Sequence, residues 1–130
     1  MEDLDLGQST LALKALLEAK PGAVGAPMTA ARGSKPLALI YKVMGKMFAI
    51  LALRGTANVI LKCEPHLAEV LRGHYRGVGH RSHLDPRFWI SVDLDSDVPA
   101  SEVRRLVDQS YDLVCAGLTR KQKTQLAGLA

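Results

Sequence analysis

The sequence predicts one α+β domain in the order α-β-β-β-α-β-β-α, an antiparallel sheet with its helices packed on it. Three stretches carry that prediction. Residues 37–63 hold three short apolar runs, 37–44, 47–53 and 57–63, parted by Gly45-Lys46 and by Arg54-Gly55-Thr56-Ala57-Asn58. Runs of this length with glycine at the joints make an antiparallel meander. Residues 87–94 alternate apolar and polar, the period of a half-buried strand. Residues 100–118 repeat their apolar positions at the helical period.

From the N-terminus, residues 9–19 read as a short helix. Ser9 or Thr10 is placed to cap it, and Leu11, Leu13, Leu16 and Leu17 make a mostly one-sided stripe. Lys20-Pro21-Gly22 stops it. Residues 21–36, rich in Gly, Ala and Pro, read as a loop with one short strand near 24–28. Its Gly33-Ser34-Lys35 lacks the full phosphate-loop pattern and the helix that must follow, so a nucleotide site there is rejected.

Within the meander, Val59, Leu61 and Cys63 fall on one face and Asn58, Ile60 and Lys62 on the other. The second run is apolar on both faces, Met47, Ala49 and Leu51 against Phe48, Ile50 and Ala52. That pattern predicts a central strand covered on each side. The plain role of all these apolar positions is packing. Glu64-Pro65 then opens a helix of about two turns, with Pro65 in the first turn and Glu64 at its positive end; Gly73 ends it. His66 in that first turn reads as a solvated side chain, because no second ligand-like residue stands beside it.

Residues 72–87 are the most unusual stretch. They hold Arg72, Arg76, Arg81 and Arg87, with His74, His80, His83 and Tyr75, against the single acid Asp85. A short strand is expected over 77–81 and a loop from there to Pro86. Guanidinium groups beside an aromatic ring suit phosphate and base-stacking contacts. The bland alternative is a solvated loop. The histidine spacing matches no standard metal site. In the next strand Phe88, Ile90, Val92 and Leu94 are assigned to the core, and Arg87, Trp89, Ser91 and Asp93 to the other face. Trp89 then either offers an aromatic plane beside Arg87 or packs under a loop or helix.

Asp95-Ser96-Asp97 makes a turn and Pro99 opens the best helix of the chain. Its core stripe is Val103, Leu106, Val107, Ser110, Tyr111, Val114 and Leu118, with Glu102 in the first turn. Gly117 weakens its last turn. Residues 119–130 continue helical or fray. A single domain spans 1–130, with 1–8 and 121–130 as the ends expected to fray.

Composition bounds the function. At 130 residues and 48% hydrophobic, the chain suits one ordinary globular core. No apolar run approaches the roughly 18 residues of a membrane span. The opening MEDLDLGQ is acidic, unlike a secretory signal. Cys63 and Cys115 sit in apolar segments and are expected as buried free thiols in a reducing cytoplasm. Charge is unevenly spread. Residues 32–87 carry ten Lys or Arg against three acids, whereas the flanking segments are slightly acidic and the whole chain is +4. A basic middle favours an anionic partner, although basic residues also serve simply to keep a sheet edge soluble.

Four motifs stand in order along the chain: Gly45-Lys46-Met47-Phe48-Ala49, Leu61-Lys62-Cys63-Glu64-Pro65, His83 ahead of Phe88-Trp89, and Ser110-Tyr111-Asp112-Leu113-Val114. With these separations, residues 36–120 resemble the MmcQ/YjbR family of small bacterial proteins. The resemblance implies a secretion-chaperone-like (YjbR-like, CyaY-like) fold with the order of elements read above. It also implies DNA binding through a basic double-wing surface. In one place the chain departs from the pattern. Where the family usually has a basic pair and a histidine before the tryptophan, Pro86-Arg87-Phe88 stands here, and only Arg87 is charged.

No nucleophile elbow, Ser-His-Asp order, paired inward carboxylates or cofactor loop is visible, so neither an enzyme nor a bound cofactor is expected. The favoured expectation is a cytoplasmic nucleic-acid-binding module, for DNA by the resemblance. Lys42, Lys46, Lys62, Arg72, Arg76, Arg81, His83 and Arg87 would serve phosphates, and Trp89 a base. The alternative is a protein-interaction or chaperone-like module that offers a sheet face or edge to a partner or to a second copy. No recognition helix is expected, since the long helix commits its stripe to the core.

Overall fold

The structure, a computed structural model, describes residues 6–29, 33 and 35–129. The acidic start at 1–5, loop residues 30–32, Ser34 of the rejected phosphate loop, and Ala130 lie outside it. The described elements are α1 (Gln8–Glu18), β1 (Ala23–Met28), β2 (Ala38–Val43), β3 (Lys46–Ala52), β4 (Asn58–Lys62), α2 (Pro65–His74), β5 (Val78–Gly79), β6 (Trp89–Asp93), α3 (Ala100–Ala116) and α4 (Arg120–Ala127). The strands form one antiparallel sheet in the order β1-β2-β3-β4-β6-β5. The α+β class holds. The short strand read near 24–28 is the edge strand β1, and of the two readings for the tail the helical one holds, as the separate helix α4 beyond α3.

All four helices pack through one core. Leu13 and Leu17 of α1, Ala68 and Leu71 of α2, the α3 stripe and Leu126 of α4 meet the same buried sheet residues. Those include Tyr41, Val43, Phe48, Leu51, Val59, Leu61, Ile90 and Val92. The seven stripe residues expected on α3 and its end, Leu118 among them, are buried. The other face of the sheet carries no described helix. Ile50 and Ala52 on it are only half-buried, so the cover expected over both faces of the second run exists on one. Their apolar character comes from the sheet face itself.

The β2–β3 joint is Met44-Gly45, with φ of 49° and 81°. Two consecutive left-handed residues are what a two-residue type I′ hairpin needs, so Lys46 opens β3 instead of lying in the turn. The register then shifts between Tyr41 and Lys42, passing over Phe48 as the extra residue. This bulge turns Phe48 and Ala49 both into the core, each fully buried. The next step of the β3–β4 ladder would join Phe48 to Lys62. Instead the Ser110 hydroxyl of α3 sits between them. It accepts from the Lys62 N–H at 2.9 Å and donates to the Phe48 carbonyl at 2.6 Å. Beside it the Tyr111 ring stands edge-on to Phe48 at 5.3 Å, and its hydroxyl donates to the Pro21 carbonyl at 2.5 Å.

Several boundaries differ from the sequence reading. Gly7 is the N-cap of α1, and it makes no side-chain bond. Ser9 donates instead to the Asp95 carboxylate, Thr10 is buried, and Leu11 is exposed. α2 runs through Gly73 to His74; Glu64 caps its start, accepting from the His66 and Leu67 N–H groups at 3.0 Å. β5 shrinks to two residues. β6 starts at Trp89 because Phe88 and Trp89 both bond back to the Asp85 carbonyl in a turn. Phe88 is therefore 39% exposed rather than core, with the Arg87 guanidinium over its ring at 5.2 Å. Cys63 is buried and Cys115 half-buried, both as free thiols.

Candidate nucleic-acid interface

Strand register arranges the open face in three rows. One row runs Val24, Lys42, Met47 across β1–β3, then Lys62 and Trp89 on β4 and β6. The middle row is Ala26, Ile40, Ile50, Ile60 and Ser91. The third is Met28, Ala38 and Ala52, then Asn58 and Asp93. Strands about 4.8 Å apart put the Lys42 and Lys62 backbones about 10 Å from each other and make the face about 19 Å wide from β1 to β6. Its centre is apolar, and its ionised strand residues are Lys42, Lys62 and Asp93.

A depression of about 290 Å³ opens on this face. Ala38, Ile50 and Ile60 floor it, and Arg54, Asn58 and Arg81 stand at its side. Asn58 donates to the Thr56 carbonyl at 2.8 Å, which folds the β3–β4 turn against the rim. Arg81 grips Asp93 with both arms of its fork, at 2.9 and 3.0 Å, so the one acid of the strand rows is already neutralised.

The structure gathers some of the sequence-predicted site residues and scatters others. Lys42, Lys62 and Trp89 share one row, and Arg81 reaches the opposite row. Lys46 lies on the helix side, where its ammonium donates to the Gly117 carbonyl at the end of α3 at 3.0 Å. Arg72 is half-buried on α2. Its Nη2 donates to the Trp89 carbonyl at 2.8 Å, an edge that β5 is too short to cover, while Nε is buried without a partner. Arg76 follows α2 with its backbone N–H held by Asp97 at 2.7 Å. His83 is exposed in the β5–β6 loop. Arg87, which does not share Trp89's strand face, pairs with Asp85 at 2.7 Å. That pairing, through the Arg87 side chain and then its N–H, holds the Asp85 carboxyl down at about 2. Two rim residues escaped the sequence reading. Arg54 reads in the sequence only as part of a turn. Asn58 was placed on the Lys62 face by alternation but given no role.

Among the described residues no cluster of His, Cys, Asp and Glu is placed to hold a metal, and no helix is long and apolar enough to cross a membrane.

An antiparallel sheet with every described helix on one face, and a cation-edged second face that no described helix covers, defines a one-sided α+β sandwich. The chain belongs to the YjbR family, whose model, described as YjbR, matches residues 18–113. "Uncharacterized protein YjbR" of Escherichia coli (strain K12) is 34% identical over 89 residues, covering 68% of this chain and 75% of its own. "Uncharacterized protein YbdF" of Escherichia coli O157:H7 is 26% identical over 88 residues, covering 67% and 72%. Among solved structures, Deinococcus radiodurans protein DR2400, with the family-model domain DUF419, superposes with a TM-score of 0.72 at 26% identity over 91% of this chain and 86% of its own. A Pseudomonas syringae protein shares the fold at a TM-score of 0.62 and 19% identity, over 83% and 98%.

Proposed function

We propose that this chain binds DNA through the open face of its sheet, without a cofactor or a catalytic step, in the cytoplasm. One observation carries the reading. Lys42 and Lys62 share a row of that face with Trp89, Arg54 edges the opposite side, and the only acid of the strand rows is tied up by Arg81. The face therefore keeps a positive field, to which a polyphosphate responds. Arg72, Arg87 and Lys46 are engaged within the protein and carry less of the proposed contact than the two open-face lysines. Membership of the family adds kinship to this reading, not a ligand.

The test is a salt titration of affinity for short labelled DNA, offered as duplex and as single strand, by fluorescence anisotropy. The log of affinity should fall linearly with the log of salt for at least one form. Lys42→Glu with Lys62→Glu should abolish binding or reduce the slope by about 2 on the counterion-release relation. Lys46→Ala, on the far side, should leave the slope nearly unchanged. Failure of both DNA forms to bind at low salt would refute the proposal.

A further inference from the structure

The DNA-binding reading leaves open the form of DNA, and the shape of the face bears on it. We propose that the open face takes single-stranded DNA, with one base stacked on Trp89 and neighbouring bases laid along the apolar middle row. This rests on the DNA-binding reading above and deepens it.

The chemistry of the rows argues for the single strand. A duplex keeps its bases stacked inside and turns phosphate ridges outward, so it gains nothing from an apolar floor. Here the middle row, Ile40, Ile50 and Ile60, is apolar, and the depression of about 290 Å³ lies between Ile50 and Ile60 of that row and Ala38, Ala52 and Asn58 of the third. An unpaired base has an apolar face to bury and a polar edge to satisfy; half-buried Ile50 and Ala52 offer the first and the exposed Thr56 hydroxyl the second. The cations stand on either side of that row, Lys42 and Lys62 on one flank and Arg54 on the other. That is the layout of a strand whose bases lie inward and whose phosphates reach the rims. Trp89 is half-buried at the end of the Lys42–Lys62 row, and its backbone carbonyl accepts from the Arg72 guanidinium. With only two side-chain torsions to fix, a tryptophan ring costs little to order when a base stacks on it. No described helix offers a duplex groove an insertion element from this side, because all four pack on the opposite face.

Trp89 is the only tryptophan in the chain, so its own emission reports the proposed contact without a label. Titrating a mixed-sequence oligodeoxynucleotide into the whole protein should quench that emission in step with anisotropy measured on a labelled copy. The matching duplex should bind at least about tenfold more weakly. Trp89→Ala should weaken the single strand by about 5- to 150-fold, the range carried by one lost stacking partner. Trp89→Phe, which keeps a ring, should restore most of it, and circular dichroism of both variants checks the fold. Equal or tighter duplex binding, or strand binding that leaves the emission and the Trp89→Ala affinity unchanged, would overturn the single-strand proposal and leave DNA binding standing. Binding of neither form would remove both.

Discussion

Ser110→Ala is the sharpest test of how the sheet is held open for its face. The Ser110 hydroxyl is fully buried and bridges two backbone groups that the β3 bulge leaves without ladder partners, the Lys62 N–H and the Phe48 carbonyl. Removing it orphans one donor and one acceptor at once. An unsatisfied buried group costs about 1–3 kcal/mol. Part of that returns if the strands close on each other or a water enters, so the expected loss is about 2–4 kcal/mol. Against a total stability of roughly 5–15 kcal/mol, that is a large fraction. Urea unfolding measures it, with Ser101→Ala as the control, since Ser101 is exposed on the same helix and its loss should stay within about 0.5 kcal/mol. At this size each kcal/mol moves the melting temperature by roughly 3–6 °C. The Lys62 amide should also lose hydrogen-exchange protection. A Ser110→Ala cost below about 0.5 kcal/mol with an unchanged m-value would show that the bridge is dispensable and the reasoning wrong.

Three further outcomes are expected. Gly77→Ala should destabilise by about 1–3 kcal/mol, because a Cβ there would lie 2.2 Å from Ser96 Oγ and 2.8 Å from Ser96 Cβ; thermal melts read it, and a neutral result would mean the β6–α3 loop yields freely. Asp97 accepts the Arg76 and Gly77 N–H groups, which hold its carboxyl below the usual range. A depressed carboxyl stabilises above its unfolded pKa of about 3.9 and loses that as pH falls through the lower folded value. Asp97→Asn should therefore reduce stability at neutral pH and flatten the acid limb of a stability-against-pH curve. Burial pushes the Cys63 thiol up to about 11, so maleimide on the native protein should label half-buried Cys115 first and reach Cys63 only on unfolding, as mass spectrometry would show.

How far the sequence reveals the molecule depends on whether a feature is local. The α3 stripe was readable because seven buried positions repeat along one continuous helix and its end. β4 was readable as a strand too, although Asn58, Val59, Ile60 and Leu61 are all buried and only Lys62 is more open. β1 was only hinted at: Ala23–Met28 has no alternation, contains Pro27, and is a strand because β2 pairs with it. Nor could the sequence show that no described helix covers one face of the sheet, since the half-buried Ile40 and Ile50 are as apolar as any core residue. For the site, the row of Lys42, Lys62 and Trp89 exists only through register across β2, β3, β4 and β6, including a bulge that no single strand displays. The commitments of Lys46 to Gly117 and of Arg72 to Trp89 span 71 and 17 residues. Composition counts such cations as free because their partners are distant in the chain.

The motifs that carry the family resemblance turn out to sit at the joints of the scaffold. Gly45 makes the β2–β3 turn and Phe48 is the bulge residue. Glu64 and Pro65 start α2. Ser110 fills the gap the bulge creates, and Tyr111 ties α3 to the loop after α1. These residues answer to one another: the bulge needs a hydroxyl, and the hydroxyl needs a helix at that height over the sheet. Of the residues in the four motifs, Met47, Lys62 and Trp89 are the three whose side chains join the cation-edged row, and Lys62 does so with its backbone held by Ser110. The sequence pattern thus specifies the frame far more strongly than the face. A chain can keep every joint and still alter what its open face binds by exchanging Lys42, Arg54 or Asn58, none of which the frame requires.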